Sequence, residues 1–297
     1  MNRVTETGFR AFNRVERFVG KRLPRSSSYP FLGCDTYFSE CDLSYMGDNT
    51  NLLEKLTLFN SMNSTREISI YCPEHRVPVL LSFLESSSLG GFGTLLVGDS
   101  DETLTDLLTL RALKQFKRVF LVNRRSEGTS IRNLPIGLEN KEYSSPIRLN
   151  YFKRARKLRK ANGLLLCWND ATNPVERTSA RNKLKQSKTT LNIELRIPFQ
   201  VLAKHTQQSY LVACPVGNGI DTHRIWESLY LGSLPVVLKK DASIFDPNWP
   251  IHRVDDWEDL SGLTIAKAKD IFEIYREQIG SVIEMSEVFI DQFRKKY

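Results

Sequence analysis

The sequence predicts an α/β protein in which parallel strands alternate with helices in two successive halves. Short apolar runs recur along the chain, and the segments between them carry apolar residues at helical spacing, which is the pattern of βαβ units. The second half repeats the scheme of the first. The chain has 297 residues, enough for two domains at about 100–200 residues each.

The first half contains four apolar runs that predict strands: Ile68–Tyr71, Thr94–Val97, Arg118–Val122 and Leu134–Ile136. Helical spacing of apolar residues predicts helices over Val77–Leu84 and Leu104–Phe116, between these strands. Because each helix separates two strands, neighbouring strands are expected to be parallel.

The amino-terminal segment predicts a basic amphipathic helix. Its apolar residues fall on one helical face with arginines between them: Phe9, Phe12, Val15, Phe18 and Val19. Such a helix either lies on an anionic membrane surface or packs on its own domain, and the sequence favours neither.

The second half predicts strands over Gly163–Trp168, Tyr210–Ala213 and Leu234–Leu238. Its predicted helices are Thr178–Gln186, Thr222–Leu231, Ile265–Gln278 and Val282–Phe293. The run Arg148–Lys160 carries seven basic residues and no acid, which is typical of a solvated helix or linker. The expected organisation is therefore an N-terminal helix (residues 1–30), an N-terminal domain (31–155), a C-terminal domain (156–280) and a closing helix (281–297).

Composition excludes several classes of protein. With 41% hydrophobic and 26% charged residues, the chain is neither a disordered tail, nor a collagen-like fibre, nor a small disulfide scaffold. Its five cysteines are odd in number and contain no C-x-x-C pair, which predicts reduced thiols rather than a zinc site or disulfides. The histidines share no ligand spacing, so no metal site is predicted. No apolar run reaches the ~18 residues of a membrane span, and no signal peptide is evident. A cytoplasmic protein is expected.

The charge is unevenly distributed. The net charge is +8, and residues 1–160 hold 25 basic against 17 acidic side chains, whereas residues 161–297 hold 17 of each. A basic first half favours anionic partners: nucleic acid, anionic lipid or a phosphorylated substrate.

The most informative stretch is Cys214–Val237. A strand leads into a loop with two glycines, and the loop leads into a helix that Asp221 or Thr222 can cap. Backbone N–H groups of such a loop and the helix dipole together favour an anion. The candidate donor-binding residues here are Gly217, Asn218, Gly219, Asp221, Thr222, His223, Arg224 and Glu227.

Arg224 and Glu227 are three residues apart and share one helical face. The arginine can pair with phosphate oxygens through its planar fork, and the carboxylate can accept hydrogen bonds from two ribose hydroxyls. The plainer alternative is a strand–loop–helix unit with a surface ion pair. The combination with Gly217, Gly219 and Gly232-x-x-Pro235 favours nucleotide-diphosphate binding.

This stretch resembles the nucleotide-sugar-binding half of exostosin-like glycosyltransferases, whose pattern is close to C-P-R-G-x-G-x-D-[ST]-x-R-x-W-E-A-L-x-x-G-x-[IL]-P-V-[IV]. The matching positions are Cys214, Pro215, Gly217, Gly219, Asp221, Thr222, Arg224, Trp226, Glu227, Leu229, Gly232, Pro235 and Val236. The resemblance implies the GT-B fold, in which two Rossmann-like domains with parallel sheets face each other across a cleft.

The resemblance also implies an activity. A sugar would pass from a nucleotide-diphosphate donor, with a UDP-sugar favoured, to a hydroxyl of a glycan or lipid-linked glycan acceptor in polysaccharide or glycoconjugate synthesis. Inversion at the anomeric carbon and no strict metal requirement are implied, and so is no cofactor beyond the donor itself. Val216 departs from the pattern because the family usually has arginine there, so Arg177 or Arg181 is the candidate replacement.

Further candidates lie where other predicted strands end. Asn169 and Thr172 follow the first strand of the second half and are expected to contact phosphate, unless they only form an Asx turn before the next helix. Asp99 and Asp101 end a strand of the first half. They are candidates for the general base that takes the acceptor's proton. A D-x-D metal site and a simple cap for a helix over Thr103–Phe116 are the alternatives.

Four polar or glycine positions are candidates for acceptor binding: Asp35, Asn123, Gly137 and Asn140. The last two belong to a P-I-G-[LV]-x-N element that resembles one in bacterial and algal relatives of the same family.

A non-catalytic basic protein that binds nucleic acid or an anionic membrane is the alternative function. Nucleic acid is the less favoured partner, because the sequence has no RNP, KH, helix-turn-helix or zinc-finger pattern. A peripheral enzyme at the inner face of a membrane would reconcile both signals.

Overall fold

The computed structural model describes residues 27–61, 67–87, 91–101, 104–124, 130–141, 146–153, 158–194 and 197–294. The predicted N-terminal amphipathic helix lies outside the described residues. Within them the chain divides into two compact units: the first comprises residues 27–136 and 286–294, and the second comprises Gly137–Met285.

The first unit contains a parallel sheet of five strands in the order β1-β2-β3-β4-β5. Its strands are β1 (Leu43–Ser44), β2 (Ser69–Pro73), β3 (Phe92–Gly98), β4 (Phe116–Leu121) and β5 (Ile131–Asn133). Its helices are α1 (Cys34–Glu40), α2 (Asn49–Ser61), α3 (Val77–Ser86) and α4 (Asp106–Gln115).

This strand order explains how the first sheet is covered. Each strand is added on the same side as the one before it, and right-handed crossovers in one direction place their helices on one face. That face supplies alternate strand residues to a core shared with α2, α3 and α4. The core includes Ile70, Cys72, Leu95, Val97, Val119, Leu121, Leu52, Leu56, Leu80, Leu84 and Ala112.

The opposite face of the first sheet is covered from both ends of the unit. The Phe38 ring at α1 lies 6.1 Å from the Tyr71 ring. The carboxyl-terminal segment contributes Phe289 and Phe293, whose rings lie 5.9 and 6.3 Å from the Phe120 ring. The Ser69 hydroxyl also donates a 2.7 Å hydrogen bond to the carbonyl of Phe293. A segment distant in sequence thus closes the face that the crossovers leave bare.

One strand prediction in this unit was wrong. Leu134–Ile136 forms no strand, and β5 ends immediately before it at Asn133. The Leu134 amide still donates to the carbonyl of Leu121, but Pro135 has no N–H to continue the ladder. The other three predicted strands and both predicted helices are confirmed, with ends shifted by one or two residues.

The second unit contains a parallel sheet of five strands in the order β10-β9-β8-β6-β7. Its strands are β6 (Asn162–Cys167), β7 (Thr190–Ile193), β8 (Ser209–Ala213), β9 (Leu234–Leu238) and β10 (His252–Val254). Its helices are α5 (Pro146–Lys153), α6 (Pro174–Leu184), α7 (Phe199–Gln207), α8 (His223–Tyr230), α9 (Ile265–Ile274) and α10 (Arg276–Gly280). Helix α11 (Val282–Ile290) crosses from this unit into the first.

The second sheet is wound in two directions. From β6 the chain adds β7 on one side and then returns to add β8, β9 and β10 on the other. Right-handed crossovers in opposite directions place helices on both faces. Phe152 of α5 contacts the rings of Phe199 in α7 and Tyr230 in α8, which groups these three helices. The central strands are buried on both faces, as their continuous apolar runs predict.

Two helix predictions needed correction here. The helix predicted over Thr178–Gln186 begins at Pro174, because the Asn173 side chain caps it by accepting from the Glu176 amide at 3.3 Å. The long helix predicted over Ile265–Gln278 is interrupted at Tyr275 and forms α9 and α10.

All five cysteines are free and buried. No helix in the described part of the chain combines the length and apolarity needed to cross a bilayer.

Candidate functional site

The second sheet reverses its strand order between β6 and β8. In open α/β sheets, the loops that leave the carboxyl ends of the two strands at such a reversal diverge, and ligands bind in the crevice between them. Here these loops are Trp168–Asn173 after β6 and Cys214–Thr222 after β8. Every residue predicted to bind the donor lies in these loops or in the helices that follow them.

Arg177 joins the two loops. It lies in the first turn of α6, its Nε donates to the Val216 carbonyl at 3.0 Å and its Nη1 donates to the Asn169 carbonyl at 2.9 Å. Nη1 also donates to the Thr172 hydroxyl. The guanidinium therefore fixes the loop after β6 against the loop after β8. Burial lowers the pKa of Arg177.

Gly217 is required by the approach of Arg177. A Cβ built on Gly217 would lie 2.5 Å from Nη2 of Arg177, closer than non-bonded atoms tolerate. The loop is closed locally by the Gly217 amide, which donates to the Gly219 carbonyl at 3.0 Å. Asn218, between them, is exposed.

Helix α8 carries the predicted Arg224–Glu227 pair. Nη1 of Arg224 lies 2.8 Å from Oε2 of Glu227, and Glu227 is 6% exposed. Burial acts to lower the pKa of Arg224, but the Glu227 carboxylate and other neighbours outweigh it, so that this pKa is raised. Burial also raises the pKa of Cys214, beside these residues, to about 12, which keeps its thiol protonated.

Asp221 anchors the loop rather than facing solvent. It is 1% exposed, and its Oδ1 accepts a 2.8 Å hydrogen bond from Nε1 of Trp226 in α8. Thr222 occupies the N-cap position of α8, but its hydroxyl makes no capping hydrogen bond. This anchoring role of Trp226 was not predicted from the sequence, although the spacing of Asp221 and Trp226 is visible in the motif.

Arg181 makes structural contacts within its own unit. It is 5% exposed, and its Nε and Nη2 contact the carboxylate of Asp170 at 3.1 and 3.2 Å. Its Nη2 also donates to the Trp168 carbonyl at 3.0 Å, and its guanidinium lies over the Trp168 ring at 4.6 Å. Of the two predicted replacements for the missing motif arginine, Arg181 therefore has Nε, Nη1 and Nη2 all engaged, whereas Arg177 has only Nε and Nη1 engaged among the described residues.

Asn169 and Thr172 form the Asx turn that was their alternative interpretation. Oδ1 of Asn169 accepts from the Ala171 amide at 3.2 Å, and the Thr172 hydroxyl donates to the Asn169 carbonyl at 3.0 Å. Both residues remain exposed beside Arg177, so this local role is compatible with a ligand contact.

Gly137 lies in the second unit, together with the predicted donor residues. Its carbonyl oxygen lies 2.8 Å from Nδ1 of His223, at the start of α8. A carbonyl only accepts, so Nδ1 carries the proton and Nε2 is left as the second functional atom of the ring. Nearby, Glu139 pairs with Arg148 at 2.9 Å. Asn140, next along the chain, is half-buried.

The remaining candidates gather at the carboxyl edge of the first sheet. The Asp99 amide donates to Sγ of Cys34 at 3.3 Å, which brings the neighbouring Asp35 to the end of β3. The side-chain amide of Asn123 donates to the Asp101 carbonyl at 2.8 Å. Asp99 and Asn123 both adopt left-handed backbone conformations, with φ of 59° and 52°, just beyond the ends of the adjacent strands β3 and β4.

The structure does not show Asp99 or Asp101 as a cap of the following helix, which was the alternative role for these two residues. Helix α4 begins at Asp106, and its cap is Thr105, whose hydroxyl accepts from the Leu108 amide. Asp99 and Asp101 are therefore not its capping residues. In the described residues, no cluster of three or more histidine, cysteine or acidic side chains is arranged to hold a metal ion.

Searches against protein-family models gave no match, and no curated protein is significantly similar to this chain.

Proposed function

We propose that the chain is a glycosyltransferase of the GT-B type that moves a sugar from a nucleotide-diphosphate donor, with UDP favoured, to a hydroxyl of a glycan acceptor. One observation carries the proposal. At the reversal point of the second sheet, a glycine loop, a helix N-terminus, two arginines and a buried glutamate lie within one site. Such a set provides hydrogen-bond donors for a diphosphate and a carboxylate that accepts hydrogen bonds from ribose hydroxyls.

In the proposed reaction the acceptor oxygen attacks the anomeric carbon of the donor sugar. The new carbon–oxygen bond forms as the bond from this carbon to the diphosphate breaks, which inverts the anomeric centre. The acceptor proton passes to a carboxylate of the first unit, Asp99 or Asp101. Arg224 and the first amides of α8 stabilise the negative charge that develops on the leaving diphosphate.

The donor site is tested by thermal-shift screening with UDP, GDP, CMP and their sugars, because a specific ligand raises the melting temperature. Arg224→Ala and Glu227→Ala should weaken the shift. The chain supplies a matched control, since Arg276 and Glu273 form an exposed ion pair of the same spacing in the same unit. Arg276→Ala should leave the shift unchanged. Unaltered donor affinity in both site variants would refute the assignment.

The chemical step is tested separately with Asp99→Asn and Asp101→Asn. Loss of a general base typically slows a reaction by about 10²–10⁴-fold. One of the two variants should therefore lose most of its transfer rate while donor affinity stays unchanged. Full transfer rates in both variants would remove these carboxylates from the mechanism.

We further propose that the acceptor is a glycan or lipid-linked glycan and that the enzyme lies at the cytoplasmic face of a membrane. The basic segments of the first 160 residues support this location, because anionic lipid attracts clustered lysine and arginine. Binding to anionic vesicles should decrease when residues 1–25 are deleted. Undiminished vesicle binding would reject the N-terminal segment as the anchor.

A further inference from the structure

Three arginines lie at the carboxyl edge of the second sheet, and their surroundings differ. Arg181 is engaged by Asp170, and Arg224 is paired with Glu227. Arg177 donates only to two backbone carbonyls and one hydroxyl. Among the residues that the structure describes, no carboxylate lies within ion-pair distance of its guanidinium. Arg177 is thus a partly buried cation without a paired anion.

The hydrogen bonds of Arg177 leave one nitrogen unused. Nε and Nη1 hold the two loops, whereas Nη2 donates to no residue within the described ranges. Nη2 lies against the backbone of Gly217, next to Val216, where the resembling motif has an arginine. Burying a cation without a counter-charge is unfavourable, and a bound anion would supply the missing charge.

We propose that Arg177 binds the diphosphate of the substrate through Nη2, and so replaces the arginine that is absent at position 216. This inference rests on the proposed function, since that function supplies the diphosphate. Arg177 has two tasks in this account. Its Nε and Nη1 position the loops, and its Nη2 carries the charge that recognises phosphate, whereas Arg181 supports the loop after β6 and contacts no ligand.

Two substitutions separate the charge of Arg177 from its role in the loops. Arg177→Gln removes the charge but keeps a side-chain amide that donates hydrogen bonds. Gly217→Ala keeps the charge but places a methyl group where Nη2 lies, so that the end of the arginine side chain must move. Arg253→Gln is the matched control, because Arg253 also donates to a backbone carbonyl, at 3.1 Å, in the same unit.

The affinities of pyrophosphate, phosphate, uridine and UDP are measured by calorimetry for the full chain and each variant. Loss of a charge-assisted hydrogen bond in Arg177→Gln should lower the affinities for pyrophosphate and UDP by about 10- to 100-fold. Gly217→Ala should also lower the affinities for pyrophosphate and UDP. The affinity for uridine should not change in either variant. Adding Val216→Arg to Arg177→Gln should recover part of the lost affinity.

The outcomes are distinguishable from those of the proposed function. Pyrophosphate affinity in Arg177→Gln equal to that of the unaltered chain would overturn the inference. So would an equal loss for uridine, because Arg177 would then act only through loop position. The unaltered chain could bind pyrophosphate through Arg177 and yet bind UDP no more tightly than pyrophosphate. In that case the role of Arg177 in diphosphate binding holds, and the nucleotide-sugar function fails.

Discussion

The two sheets carry polar residues at their carboxyl edges, but they differ in winding. The first sheet adds β1 to β5 in one direction, so its described strands contain no reversal. The second sheet reverses between β6 and β8, and the loops and helices that follow these two strands carry the glycine loop and the arginines. Because ligands of open α/β sheets bind where the strand order reverses, the difference in winding favours the carboxyl edge of the second sheet as the ligand site.

Winding also determines how each sheet is covered. Crossovers in two directions give the second sheet helices on both faces. The first sheet receives its crossover helices on one face, and α1 with residues 286–294 covers the other. The stability of the first sheet therefore depends on the far end of the chain.

The largest effect on stability is expected at Phe293, which is 4% exposed and packs on Tyr37, Phe120 and Phe289. Phe293→Ala should cost about 3–5 kcal/mol, as large-to-small changes in a core do. Hydrogen exchange should accelerate in β2, β3 and β4 and stay unchanged in β6, β8 and β9.

Phe272→Ala is the matched control for this variant, because the Phe272 ring packs against Tyr210 of β8 at 5.7 Å. It should accelerate exchange in the second sheet alone. Equal acceleration in both sheets after Phe293→Ala would contradict the dependence of the first sheet on the carboxyl-terminal segment.

A smaller effect is expected at the anchor of the glycine loop. Trp226→Phe removes the donor to Oδ1 of Asp221 and leaves a buried carboxylate oxygen without that hydrogen bond, which should cost about 1–3 kcal/mol. Urea denaturation measures this cost. Trp257→Phe removes the same group from a buried ring whose Nε1 has no partner in the described structure, so its cost should be smaller. Equal costs would show that the hydrogen bond does not stabilise the loop.

The smallest effect, counted per pH unit, is expected at the opposite edge of the second sheet, where Lys160 is half-buried. Its Nζ donates to the carbonyls of Ser209 and Gly232 and to the Ser233 hydroxyl, at 2.8, 2.6 and 2.9 Å. Burial lowers its pKa from 10.5 to about 7. Between these values the unfolded chain binds more protons than the folded chain, so the Lys160 contribution to the free energy of unfolding rises with pH.

Urea denaturation at pH 7, 8 and 9 tests this dependence. The free energy of unfolding of the unaltered chain should rise relative to Lys160→Met by up to about 1.4 kcal/mol per pH unit. Lys183→Met is the control, because the hydrogen bond to Asp256 raises the pKa of Lys183 and gives no such rise in this window. Identical pH slopes for the unaltered chain and Lys160→Met would contradict this prediction. They would mean that Lys160 stays charged in the folded chain, stabilised by its three hydrogen-bond acceptors.

Much of the fold followed from sequence because the central strands are continuous apolar runs. The predicted strands Tyr210–Ala213 and Leu234–Leu238 agree with β8 and β9 to within a residue. Strand β7 was missed because its four residues are only half-buried and mix polar with apolar side chains. Helix α1 was missed because seven residues beside a tight turn carry little periodic signal.

The candidate site was predictable as a set of residues but not as a set of roles. The spacing of Arg224 and Glu227 indicated their ion pair, since residues three apart on a helix are neighbours. Sequence did not separate Arg177 from Arg181. Their difference depends on which of them pairs with Asp170 and on the Val216 carbonyl, 39 residues from Arg177, and local spacing specifies neither contact. Nor did it reveal that Gly137 contacts His223, since that contact joins positions far apart in the chain.

The position of a bound nucleotide on the two sheets tests the proposed donor site. Backbone hydrogen exchange is compared with and without a saturating amount of the nucleoside diphosphate that gives the largest thermal shift. If the nucleotide binds at the reversal of the second sheet, exchange should slow in residues 168–173 and 214–224. Protection confined to residues 98–101 and 122–124 of the first sheet, or protection at neither edge, would contradict it.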